Sequence, residues 1–110
     1  MTVGITMILL VAWVHWFSDF FLQTDIMAKN KSSSVKWLSV HVATYSVPFL
    51  LIFGWKYAII NGILHWIVDF FTSKATAYLW KKEERHWFFV VIGFDQALHL
   101  TCLLMTLPLM

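Results

Sequence analysis

The sequence has little charge, few acidic residues and almost no cysteine. Charged residues make up 13% of its 110 residues, whereas an ordinary soluble domain has about 25%. Because hydrophobic residues make up 60% of the chain, the composition argues against a water-soluble globule. A single cysteine excludes a disulfide framework and a zinc site built from cysteine pairs. A net charge of +2 is too small to indicate nucleic-acid binding.

The few acidic residues have unusual positions. The chain has only six Asp and Glu residues, and Asp19, Asp69 and Asp95 lie inside its most apolar stretches. An ionised carboxylate costs roughly 2.5–3.5 kcal/mol at the centre of a membrane helix, so these three residues need compensation. Their placement is the main indication of function in the sequence.

Four apolar segments are long enough to predict membrane-spanning helices. The N-terminal run has no basic residue before it and no small-residue cleavage site, which favours a retained helix over a secretory signal. The sequence therefore predicts an all-α fold, an integral membrane four-helix bundle formed by one domain over residues 1–110. The predicted helices are residues 3–22, 37–55, 57–72 and 87–109.

Basic residues predict the orientation of the bundle. All of them except Lys56 lie in the two predicted loops, residues 23–36 and 73–86. By the positive-inside rule, both loops face the cytoplasm and both termini face outward.

An internal repeat relates the two halves of the chain. The pattern His-Trp-x-x-Asp-Phe-Phe begins at His15 and again at His65, 50 positions later. Each copy ends a predicted helix and leads into a basic loop. The repeat predicts two tandem helical hairpins related by an axis along the membrane normal.

Three of the predicted helices carry a His and an Asp four residues apart, which places both side chains on one helix face. The order of the pair reverses in the fourth helix, which runs in the opposite direction. The carboxylates are therefore expected at one depth, with the imidazoles about 6 Å further from the cytoplasm. The second helix contributes His41 to the carboxylate layer and Tyr45 to the imidazole layer. The candidate metal ligands are His15, Asp19, His41, His65, Asp69, Asp95 and His99.

A divalent cation explains why these side chains converge, because three ionised carboxylates in one small bundle repel each other. Imidazole nitrogens and carboxylate oxygens suit zinc, with manganese or iron as alternatives. Seven candidates exceed the four ligands of one zinc ion, which favours two ions or a mixture of ligands and supporting partners. A metal-free hydrogen-bond network that locks the helices together is the competing interpretation.

Polar residues of the predicted loops indicate a substrate site directly below the carboxylates. In this interpretation they hold a phosphate-bearing substrate, whereas contact with anionic lipid headgroups is the alternative explanation for the basic ones. The candidate substrate-binding residues are Gln23, Asp25, Asn30, Lys31 and Lys74.

Motifs spread over nearly the whole chain carry a resemblance to a known family. They include His15-Trp-Phe-Ser-Asp19-Phe, its second copy from His65 to Lys74, and Asp95-Gln-Ala-Leu-His99. With them, the chain resembles a domain-of-unknown-function family of small bacterial and bacteriophage multi-helix membrane proteins with HxxxDF repeats. The resemblance implies a location in the bacterial inner membrane and agrees with the His/Asp set, but it implies no activity.

The leading functional hypothesis is a metal-dependent hydrolase at the cytoplasmic leaflet. A water activated by the cation would attack a phosphate or acyl ester of a lipid or lipid-linked substrate. Asp19, Asp69 and Asp95 are the candidate catalytic residues, one of them as a general base. Two alternatives stay open: a divalent-cation or proton transporter, and a non-catalytic subunit of a membrane complex whose polar layer docks a partner or binds haem. The expected partners are the bilayer and the substrate, with a homo-oligomer or a membrane complex as the assembly and no nucleic acid.

Overall fold

The protein is a bundle of α-helices, described here by a computed structural model of residues 4–110. Within that range no strand occurs, which confirms the predicted all-α fold. The first helix continues as a π-helical turn over Phe17–Phe21, and a short 3-10 turn over Leu107–Leu109 follows the last helix. The five α-helices are α1 (Ile5–Trp16), α2 (Asp25–Asn30), α3 (Val35–Phe53), α4 (Trp55–Lys81) and α5 (Arg85–Met105).

The helix boundaries lie close to the sequence prediction for the second and fourth spans, and the first span ends at Phe21, next to its predicted end at residue 22. The third span and the two predicted loops differ. The predicted loop over residues 73–86 is wrong, because α4 continues to Lys81. Residues 73–81 are rich in good helix formers such as Ala, Leu and Lys. The helix therefore continues, with its backbone hydrogen bonds intact, although the hydropathy of the sequence falls there. The predicted loop over residues 23–36 contains α2, whose first turn is capped by the Thr24 hydroxyl. The predicted start of the first helix at residue 3 lies outside the described residues.

The four long helices form an antiparallel up-and-down bundle. α3 and α5 each pack against both α1 and α4, so α1 and α4 lie at opposite corners. These two helices carry the two copies of the repeat. The end of the bundle near the termini is filled by a packed core that includes Val11, Phe49, Tyr57 and Leu103. The His/Asp pairs lie on the same helices beyond this core, toward α2.

Two of the helices, α3 and α5, are long and apolar enough to cross a membrane. Only 28% and 17% of their most apolar windows are buried inside the protein, so most of these side chains face outward. The segment Ile5–Phe21 is apolar but shorter. In α4 the helix is continuous, but polar residues of the His/Asp cluster interrupt its apolar sequence. The finding is consistent with membrane association and supports two of the four predicted spans.

α3 and α4 approach each other closely at Gly62. A Cβ atom there would lie 2.7 Å from Ser46 Oγ, which donates to the Val42 carbonyl oxygen at 2.8 Å. We expect Gly62→Ala to lower the unfolding midpoint measured in detergent, with a loss of about 1 kcal/mol, because Ser46 or the helix must move. Gly93→Ala is the matched control, since nothing lies within 4 Å of its Cβ position. Equal midpoints for the two variants would contradict the close approach.

Candidate metal centre

All seven predicted metal ligands meet in one buried cluster between the four long helices. None of them is more than 8% exposed. The first helix and its π-helical turn contribute one pair, α3 contributes a single histidine, and α4 and α5 contribute one pair each. In this order they are His15, Asp19, His41, His65, Asp69, Asp95 and His99.

Four atoms of this cluster form a compact group, called here the tetrahedral group: Asp19 Oδ1, His41 Nε2, His65 Nε2 and Asp69 Oδ2. The two ring nitrogens are 3.2 Å apart. His41 Nε2 lies 3.1 Å from Asp19 Oδ1 and 3.3 Å from Asp69 Oδ2. His65 Nε2 lies 3.4 Å and 3.3 Å from the same two oxygens. The four ligand atoms thus surround one point from three different parts of the fold.

These separations fit a tetrahedral metal ion. Four N and O ligands about 2.0–2.1 Å from a central zinc ion are separated from each other by about 3.3–3.4 Å. Every separation given above lies between 3.1 and 3.4 Å. Hydrogen bonding explains the arrangement less well, because a ring nitrogen carries at most one proton, while each Nε2 atom contacts three atoms of the group.

A second group of ligands lies beside the first and shares residues with it. His99 Nε2 is 3.1 Å from Asp95 Oδ1 and 3.3 Å from Asp69 Oδ1, and ligand atoms of Asp19, Asp95 and His99 all lie within 4.8 Å of one another. Asp69 therefore presents one oxygen to each group. Asp19 also belongs to both. Shared carboxylates of this kind are compatible with two neighbouring cations.

His15 differs from the other predicted ligands, because both of its ring nitrogens already have protein partners. Nδ1 accepts from the Tyr45 hydroxyl at 2.9 Å, and Nε2 donates to Gln96 Oε1 at 2.7 Å. The Gln96 amide nitrogen then donates to Asp19 and Asp95. His15 thus orients two carboxylates through Gln96, a role that supporting partners have around metal sites.

The π-helical turn positions Asp19 differently from its counterpart in the repeat. The Leu22 amide donates to the Phe17 carbonyl oxygen, five residues back. His15 Nε2 is consequently 3.8 Å from Asp19, whereas the equivalent atoms of His65 and Asp69 are 3.3 Å apart. π-helical turns are frequent at functional sites. Here the turn lets Asp19 reach across to α3 and α4.

A cavity of about 560 Å³ opens beside the second group. Asp69 and Asp95 line it together with residues of α2, α4 and α5. Of the predicted substrate-binding residues, Gln23 and Lys31 line this cavity, whereas Asp25, Asn30 and Lys74 do not. Lys74 instead donates to the Ser32 carbonyl oxygen, and the Asn30 amide to that of Ile26.

Lys31 links α2 to the cluster. Its Nζ atom is 3.0 Å from Asp69 Oδ2, and its side chain is 18% exposed whereas that of Asp69 is buried. The ammonium offsets part of the negative charge of three buried aspartates, a charge that is costly without a partner. Other residues that line the cavity lie outside the predicted substrate-binding set, among them Lys29, Ser73, Trp80 and Phe88. Ser73 and Trp80 lie in the predicted loop over residues 73–86.

A family model described as "Protein of unknown function (DUF3307)" matches residues 5–110. The match confirms the predicted resemblance to a domain-of-unknown-function family. No curated protein and no solved structure matches the chain.

Proposed function

We propose that this chain, which belongs to the DUF3307 family of proteins of unknown function, is a membrane-embedded, metal-dependent hydrolase. Because the family provides no activity, the proposal rests on the geometry of the chain itself. The observation that carries it is the tetrahedral group, in which two imidazole nitrogens and two carboxylate oxygens converge in a buried position. A second ligand group and an open cavity lie directly beside it.

The outer surface supports a four-helix membrane bundle. Large apolar side chains point outward from each of the four long helices, among them Trp13, Leu51, Phe71 and Phe89, all more than 60% exposed. Large apolar side chains exposed on all four helices indicate a surface that contacts lipid or a partner. Lipid would cover it, with the basic residues of α2 and of the α4–α5 turn at the cytoplasmic surface and both termini outside.

The two ligand groups would hold two divalent cations, with zinc as the first choice for the mixed nitrogen and oxygen donors. His41 and His65 would bind one ion and His99 and Asp95 the other, with Asp19 and Asp69 shared between them. Bound cations supply Lewis-acid activation of water and of an ester group. Asp69 and Asp95 also line the cavity, so an ester bound there would lie next to the carboxylates that hold the ions.

The geometry favours a hydrolase over the two alternative functions. The end of the bundle opposite the cavity is filled by the packed side chains of Tyr45, Phe49 and Tyr57, each at most 1% exposed, which leaves the cluster accessible from one side. A transporter needs access from both sides. The rings of His65 and His99 stack at 3.9 Å with their planes 11° apart, a contact that leaves no space for a porphyrin between them.

Elemental analysis combined with an ester-hydrolysis assay tests the proposal. We expect the purified wild-type protein to contain up to two zinc ions per chain and to hydrolyse phosphate or acyl esters in detergent. His65→Ala is expected to lose metal and turnover, because it removes a ligand of the tetrahedral group. His86→Ala is the matched control, since His86 is exposed and belongs to neither ligand group.

Two results would contradict the proposal. Equal, near-zero metal in the wild-type protein and in His65→Ala would leave the cluster as a hydrogen-bonded scaffold. A full metal content without turnover of any ester class would retain the metal centre and exclude the hydrolase. Loss of turnover on chelation and its return with zinc or manganese would support the proposal.

A further inference from the structure

We infer that the substrate is a phosphorylated amphiphile, with its phosphate held by Lys31 and Ser73 and its hydrocarbon chain held by Trp80 and Phe88. This inference rests on the proposed function, because it places the ester beside the proposed metal centre. It is carried by the division of the cavity into a polar end and an apolar end.

The cavity has the size and position of a ligand site. Its volume of about 560 Å³ lies within the range of about 300–1,000 Å³ that is typical for small-molecule sites. Its walls come from α2 and the residues just before and after it, from the second half of α4 and from the first turns of α5. Asp69 and Asp95 form its inner end, where the proposed metal centre would meet a bound ester.

The polar end of the cavity offers donors suited to an anion. Lys29 and Lys31 both line the cavity, and the Lys31 ammonium lies against Asp69. Ser73 is 6% exposed, and its hydroxyl has no hydrogen-bond partner among residues 4–110. A phosphate oxygen would accept from this hydroxyl, and charge-assisted bonds from Lys to phosphate are among the stronger hydrogen bonds in proteins.

Metal binding would make Lys31 available to the substrate. Its ammonium contacts Asp69 Oδ2, the oxygen that also belongs to the tetrahedral group. A divalent cation in that group would occupy the oxygen and repel the ammonium. Since Lys31 lines the cavity, its side chain can turn toward a bound phosphate without a change in the backbone.

The apolar end of the cavity selects for a hydrocarbon chain. Trp80 from the last turn of α4 and Phe88 from the first turn of α5 lie against each other, with ring centroids 5.0 Å apart. Ile92 and Ala77 extend the same wall. The Arg85 guanidinium stacks over the Trp80 ring at 3.7 Å and holds it in place. A free phosphate ion would leave this wall uncovered, whereas an alkyl phosphate would cover it.

Binding of octyl phosphate to the zinc-loaded protein in neutral detergent tests the inference by calorimetry. Inorganic phosphate and octanol are the comparison ligands, each of which carries one half of the proposed recognition. We expect octyl phosphate to bind at least about 10-fold more tightly than either, because only this ligand uses both ends of the cavity. Equal affinity for inorganic phosphate would overturn the assignment of an amphiphile.

Substitutions of Lys31 and Ser73 test the polar end of the cavity. Lys31→Gln and Ser73→Ala are expected to weaken octyl phosphate binding by about 10-fold or more, whereas Lys31→Arg keeps the charge and retains binding. Lys36→Gln is the control, because Lys36 is exposed and does not line the cavity. Unfolding midpoints and zinc contents identify any variant that is misfolded, and the remaining one of Lys31→Gln and Ser73→Ala is then the test.

A second pair of variants tests the apolar end. Phe88→Ala is expected to weaken octyl phosphate binding and to leave the affinity for inorganic phosphate unchanged. The neighbouring Phe89 is 64% exposed and does not line the cavity, so Phe89→Ala should behave as wild type. Equal losses of octyl phosphate affinity in the two variants would overturn the proposed position of the hydrocarbon chain.

The inference and the proposed function fail in distinguishable ways. Binding of octyl phosphate that depends on Lys31, without turnover of any ester, would support the binding site and overturn the hydrolase. Hydrolysis of phosphate-bearing and neutral esters at equal rates, unchanged in Lys31→Gln, would support the hydrolase and overturn the phosphorylated substrate. Octyl phosphate affinity that is equal in wild type, Lys31→Gln and Ser73→Ala would also overturn it.

Discussion

Asp69→Asn is expected to abolish metal binding and ester hydrolysis together. Asp69 Oδ2 is 3.3 Å from the Nε2 atoms of both His41 and His65, and Asp69 Oδ1 is 3.3 Å from His99 Nε2. Asparagine keeps the shape of the side chain but loses its charge and one of its two oxygens. Even supporting partners of metal ligands cost 10–100-fold in affinity when mutated, so loss of this shared ligand should cost more than about 100-fold.

Zinc content per purified chain and zinc affinity in competition with a chromophoric chelator measure this effect. Asp25→Asn is the matched control, because Asp25 is an exposed carboxylate in the first turn of α2. Asp69→Asn also removes the charged partner of Lys31. The Lys31 side chain is partly exposed and can turn toward water. The stability of the metal-free protein should therefore change little. Wild-type zinc content in Asp69→Asn would exclude both ligand groups.

The convergence of the ligands could be predicted from spacing and helix direction alone. Pairs four residues apart fix the helix face, and the reversed order in the fourth helix fixes the depth, both of which are local properties of the chain. Antiparallel packing of consecutive helices then brings the faces together. The structure places His41 against the carboxylates and Tyr45 against the imidazoles, as the layers predict.

The different roles of the two repeat histidines could not be predicted, because His15 and His65 occur in the same motif. Their partners lie on other helices: Tyr45 and Gln96 for His15, and His41 with two carboxylates for His65. The π-helical turn at Phe17–Phe21 adds to this difference. It changes the hydrogen-bond register by one residue, and nothing in the local sequence distinguishes it from a regular turn.

The continuation of α4 along the cavity had a signal in the sequence. Asp69, Ser73, Thr76 and Trp80 recur at spacings of three and four residues, which place them on one face of a continuous helix. The predicted helix ends at residue 72 because hydropathy falls there. Hydropathy reports the boundary of an apolar layer, whereas helix propensity and spacing report the helix itself, and α4 continues past that boundary to Lys81.

His99→Phe is expected to remove one of two metal ions and to leave the other in place. His99 Nε2 contacts Asp95 Oδ1 and Asp69 Oδ1, whereas the tetrahedral group uses the other oxygen of Asp69. Phenylalanine retains a ring that can stack on His65, which His99 contacts at 3.9 Å between centroids. We therefore expect about half of the wild-type zinc content, with turnover reduced by more than about 100-fold because both ions would take part in the proposed reaction.

His41→Ala is the complementary variant, because it removes a ligand of the tetrahedral group and leaves His99 and Asp95 unchanged. Elemental analysis of the two variants beside wild type counts the ions that each group holds. Undiminished zinc in His99→Phe would show that the tetrahedral group binds the only ion, and Asp95 and His99 would then act on the substrate or on water. Complete loss of zinc in both variants would show that neither ion binds without the other, since Asp19 and Asp69 are held in place from both sides.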